Sequence, residues 1–141
     1  VYTADGVPVL QLTTLPVPHR DEFSDTMAYS LLGPSRSLFF CPDIDKWERW
    51  ERDVRDVVLE HDVSLIDGSF FDGAELGGRD MSQVLHPTIG DSLARLSGVQ
   101  RDVRFVHMNH TNPLLDDESP QSKVVRAAGF SAGQTGNVIV L

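Results

Sequence analysis

The sequence predicts an α/β layered domain, a mixed sheet with flanking helices. Three observations carry this. Short runs rich in β-branched and aromatic residues recur along the chain, helical segments with start signals fall between them, and 141 residues suit one compact domain. Without an internal repeat, long linker or low-complexity tract, residues 1–141 read as a single domain.

The first strand lies in "VPVLQLTTLPV", residues 7–17, where apolar and polar residues alternate. "TMAYSLLG" and "SLFFC" then flank Gly33-Pro34-Ser35, the pattern of a hairpin. "DIDKWERWERDVRDVVLEHD", residues 43–62, reads as one helix: Asp45 can cap it, Glu48 stands three residues on, and Trp47, Trp50, Val54, Val57 and Val58 recur at helical spacing. The two tryptophans are scaffold, and the charged residues between them form a solvated face.

"VSLID" and "VRFVHM" are short strands with a buried face, and "PTIGDSLARLS" is a helix between them. A last helix starts at Ser119 with Pro120 in its first turn and stops before Gly129. The expected order is β, ββ, α, β, α, β, α, β.

Composition excludes several classes. With 12 basic and 21 acidic residues, a net charge of -9 and a pI near 4.8, the chain would repel a phosphate backbone, so nucleic acid is not an expected partner. The one cysteine, Cys41, rules out an internal disulfide and reads as buried rather than nucleophilic. No apolar run approaches the roughly 18 residues of a membrane span, and a soluble, cytoplasmic protein is expected. Opening on Val1 and running at once into a strand, the sequence reads as entered midway. The glycines of "DGAELGGRD" lack nucleotide-binding spacing, and no G-x-S-x-G is present.

Three strand-like runs end on a residue able to bind metal: His19 after "LPVP", Asp43 after "SLFFCP", and His107 after "RFV". Strand ends place side chains in the loops at a sheet edge, and imidazole with carboxylate suits zinc or iron. Each residue also has an ordinary role available, such as a hydrogen-bonded histidine or a helix-capping aspartate.

The segments "VPHRDEFSDTMAYSLLGP", "SLFFCPDIDKW", "DGSFFDGAELGGRDM", "HPTIGDSL" and "HMNHTNPLLDDESP" together resemble the second half of a metallo-β-lactamase-fold protein, of the coenzyme PQQ synthesis protein B type. The likeness spans almost the whole chain and is most specific at "HMNHTNPLLDDESP". It implies the C-terminal half of an αββα sandwich. His19 would bind a first metal, Asp43 would bridge two, and His107 would bind the second. One or two zinc ions are implied, with iron or manganese as alternatives.

By the same likeness His86 would transfer protons, and His110 would face the substrate or stand behind the ligands. Asp67 could orient a ligand histidine through its ring nitrogen. The superfamily's H-x-H-x-D-H, source of most of its metal ligands, occurs nowhere in the 141 residues. Each ion would then have two ligands here where three or four are usual, so the chain alone should be inactive and should need its N-terminal half or self-associate.

Three functions stay open. One is a metal-dependent hydrolase of a small-molecule or peptide-derived substrate. The others are an iron-dependent oxygenase in cofactor biosynthesis and a non-catalytic interaction module on the same scaffold.

Overall fold

The computed structural model describes residues 9–20, 22, 24–76 and 84–141. Residues 7 and 8 of the first expected strand, and 77–80 of the glycine-rich segment, lie outside these.

Among the described residues, six strands form one mixed sheet in the order β1-β2-β3-β4-β5-β6. They are β1 (Gln11–Val17), β2 (Thr26–Leu32), β3 (Ser37–Cys41), β4 (Val63–Asp67), β5 (Asp102–Val106) and the two-residue β6 (Ser131–Ala132). β1, β2 and β3 pair antiparallel, Val17 opposite Thr26 and Leu32 opposite Ser37, which makes the expected hairpin around Gly33. β3, β4, β5 and β6 pair parallel. Only β2 is therefore reversed, and β1, β3, β4, β5 and β6 all end at the same sheet edge.

The helices α1 (Val54–Leu59), α2 (Ile89–Arg95) and α3 (Pro120–Ala127) flank the sheet. β4 is buried on both faces, as a parallel strand between helical layers should be. The core joins Phe39, Cys41, Ile66, Val103 and Phe105 from the strands to Val54, Val57, Val58, Ile89 and Val125 from the helices. Thr88 caps α2 and Ser119 caps α3, each accepting from the backbone three residues on.

The single helix expected over residues 43–62 is two pieces. A 3-10 turn at Trp47–Arg49 is followed by extended backbone at Trp50, and α1 begins only after Asp53, whose carboxylate caps Arg55 N–H at 2.8 Å. Both indoles bond to partners outside the segment. Trp47 Nε1 donates to Ser92 Oγ and Trp50 Nε1 to the Pro16 carbonyl, each at 2.9 Å, while the Trp50 ring stacks on Phe39 at 6.1 Å. Asp45 is not a cap. It lies buried between His19 and Arg49, 3.4 Å and 2.9 Å away.

Candidate metal centre

Because β1, β3, β4 and β5 run the same way, the loops after them meet at one edge, where ligands of open α/β sheets bind. His19 follows β1, Asp43 follows β3, Asp67 ends β4 and His107 follows β5. His86 comes from the segment before α2, which a parallel bridge between Phe70 and Thr88 ties to the loop after β4.

Asp43, Asp67, His86 and His107 each place one donor atom within 4.8 Å of the others. His19 adjoins them, its Nε2 3.4 Å from Asp43 Oδ2 and its ring 5.5 Å from that of His86. Asp43 Oδ1 is buried without a hydrogen bond, 3.6 Å from His86 Nδ1. A buried carboxylate oxygen left so is costly unless a cation faces it. Ligands at about 2.1 Å from zinc stand at most about 4.2 Å apart, so a small inward movement would close this set around an ion. The residues fit a divalent cation.

Asp67 has no exposed surface. Its Oδ1 accepts from Ser69 N–H at 2.8 Å, and its Oδ2 from Ile44 N–H at 3.2 Å and His86 Nδ1 at 2.8 Å. Burial pulls the His86 pKa down. The Asp67 bond and the charges of Asp67, Asp43 and Asp45 outweigh it and hold His86 above the usual imidazole range. Cys41 beneath the site is buried, and burial with the charges of Asp67 and Asp43 pushes its thiol up, which leaves it unionised.

His107 has φ +59, a left-handed backbone rare for a residue with a side chain. It turns the chain sharply out of β5, and its exposed ring lies 6.0 Å from that of His86. His110 is exposed, its backbone N–H bonded to Asn109 Oδ1 at 2.9 Å. His61 is apart from the site: it is buried beside Phe39, with Nδ1 2.7 Å from the Val57 carbonyl and Nε2 2.7 Å from Ser30 Oγ.

Two residues that the sequence did not single out hold this edge together. Asn112 is buried, donates from Nδ2 to the Gly68 carbonyl at 2.7 Å, and accepts Leu114 N–H on Oδ1 at 2.9 Å. Ser69 is buried between His86 and His107. The Asn-Pro dipeptide in "HTNP" was the available signal for Asn112, since asparagine before proline marks a turn whose side chain bonds locally. Ser69 carried none. Next to His86 opens a cavity of about 220 Å³, lined also by Lys46, Glu48, Thr88, Asp91 and Arg95.

No family model matches the chain. It is similar to coenzyme PQQ synthesis protein B of Nitrosococcus oceani, 28% identical over 161 residues that cover 99% of this chain and 51% of that protein. The protein of the same name from Azotobacter vinelandii is 26% identical, with 96% and 50% covered. The crystal structure of Zn(2+)-bound PqqB from Methylobacterium extorquens superimposes with a TM-score of 0.77 at 21% identity, over 97% of this chain and 52% of that one. The fold is thus the metallo-β-lactamase-like one, and the resemblance is to the C-terminal half of these proteins. The chain spans about half the length of the curated relatives it matches. Among the described residues no helix is long and apolar enough to cross a membrane.

Proposed function

We propose that this chain is half of a metal-dependent hydrolase of the metallo-β-lactamase fold, related to PQQ synthesis, in which Asp43, His86 and His107 hold a divalent cation. The observation that supports it is the convergence of donor atoms from Asp43, His86 and His107, with Asp67 behind His86, to within 4.8 Å at one sheet edge. Zinc is the first candidate, since a relative of the same fold is described as Zn(2+)-bound.

When bound, the cation supplies Lewis acidity, which polarises a substrate oxygen and eases deprotonation of water. The side chains have separate tasks. Asp43 brings negative charge and an oxygen without a hydrogen bond. Asp67 already accepts three bonds and holds the His86 ring rather than competing for the ion. This gives His86 a ligand role in preference to proton transfer, and His19 stands against Asp43 where a second ion or a further ligand position would lie. His110, exposed three residues past His107, is left to contact a small-molecule or peptide-derived substrate at the mouth of the site. The half of the relatives that this chain does not span would complete the ligand set.

The test is metal analysis of the full-length protein with Asp43→Ala, His86→Gln and His107→Gln, alongside turnover. Each variant should lose most of its bound zinc and its activity. A His107 or Asp43 variant that kept both would end this reading.

A further inference from the structure

Ser69 is 4% exposed, and its Oγ touches three groups of the site. It lies 3.0 Å from His107 Nδ1, 3.3 Å from His86 Nδ1 and 3.3 Å from the His107 carbonyl oxygen. The residue cannot easily move. Its N–H donates to Asp67 Oδ1 at 2.8 Å, and its carbonyl accepts from Asn109 N–H at 3.0 Å and Asn112 Nδ2 at 3.3 Å.

The protons here can be counted, because a serine hydroxyl has one and carboxylates and carbonyls have none to give. Asp67 Oδ2, 2.8 Å from His86 Nδ1, can only accept, so that nitrogen carries hydrogen. Ser69 therefore does not donate to His86. The His107 carbonyl also only accepts, so both His107 contacts are hydrogen bonds together only when the carbonyl takes the hydroxyl proton of Ser69 and Nδ1–H donates to Oγ; a hydroxyl proton given to Nδ1 would leave the carbonyl contact unmade.

We propose that Ser69 is a positioning residue that, together with Asp67, fixes both His86 and His107 in the tautomer with hydrogen on Nδ1. Both rings then offer an unprotonated Nε2. The use of this arrangement rests on the metal reading above: two neutral imidazoles present matching lone pairs, with no tautomer to exchange before a cation binds. The tautomers themselves belong to the metal-free protein.

Long-range proton–nitrogen spectra of the metal-free, full-length protein with labelled histidine rings test this at about pH 9, well above the ordinary imidazole pKa of about 6.5. Both residues should show a protonated Nδ1 and a bare Nε2. Ser69→Ala should shift His107 toward the Nε2–H form and leave His86 unchanged, and Ser69→Thr, which keeps the hydroxyl, should restore it. Asp67→Asn should do the reverse, disturbing His86. Zinc affinity of Ser69→Ala should fall about 10-fold or more. The wild-type spectrum alone overturns the proposal if His107 carries its hydrogen on Nε2, whether or not Ser69→Ala folds, and so does an unchanged His107 in that variant. A wild type with the stated tautomers that takes up no zinc would end the metal reading and leave the role of Ser69 standing.

Discussion

Asp67 Oδ2 and His86 Nδ1 meet at 2.8 Å across 19 positions of sequence, one a fully buried carboxylate and the other a ring on the wall of an open cavity. The pair links the end of β4 to the start of α2. Its charge makes the site sensitive to pH.

Because His86 is held above the usual imidazole range in the folded chain, its contribution to stability is full below the unfolded value of about 6.5 and is lost as pH rises through the folded value. The metal-free wild type should lose stability over that window relative to a His86→Gln variant, as read from urea midpoints at a series of pH values. Asp67→Asn should bring the His86 titration down. Parallel pH curves for wild type and His86→Gln would refute the assignment.

Asn112→Ala leaves the buried Gly68 carbonyl without its 2.7 Å donor and Leu114 N–H without its acceptor. The expected cost is about 2–3 kcal/mol in denaturant unfolding, the desolvation penalty of the groups left unpaired. Asn112→Asp should do no better, since a carboxylate cannot donate to a carbonyl. A loss below about 0.5 kcal/mol would mean that water replaces the side chain there.

Trp50→Phe and Trp50→Ala separate the two jobs of that residue. Phenylalanine keeps a ring against Phe39 but loses the bond to the Pro16 carbonyl and part of the indole's packing, so it should cost about 1–2 kcal/mol. Alanine empties a core position and should cost about 3–5 kcal/mol. Equal losses in thermal or urea unfolding would show that the bond, not the stack, matters.

Asp62 accepts from Ser37 N–H at 2.8 Å and Ser37 Oγ at 2.9 Å, which lowers its pKa below the usual carboxylate value. A depressed folded pKa gives stability that is present above the unfolded value and lost as pH falls through the folded one. Asp62→Asn should therefore be less stable than wild type near neutrality, and the gap should close in acid. Urea midpoints between about pH 2 and pH 6 would show this, and a constant gap would exclude the linkage.

The strands are readable because short runs of β-branched, aromatic and other apolar residues bounded by turn residues stand out: "VSLID", "SLFFC" and the Gly33 turn sit where their patterns place them. The helix over 43–62 was misjudged because the spacing of Trp47, Trp50 and Val54 fits one helix as well as two short ones. The break comes with the Asp53 cap and two indole bonds to distant partners, which no local pattern encodes. At the site, His19, Asp43 and His107 could be proposed from strand ends. Ser69 could not, because a buried serine differs from a loop serine only by what surrounds it.

Neighbours along the chain are neighbours in the sheet, from β1 to β6. Each strand can then be added to the edge just formed, with the loops to be closed limited to the spans between consecutive strands. His19, Asp43, Asp67, His86 and His107 would enter in that order, so the donors that this chain supplies are all in place only when β5 has docked. In refolding of the full-length protein, the cation binding proposed above should therefore appear with late assembly of this sheet rather than with its initial collapse.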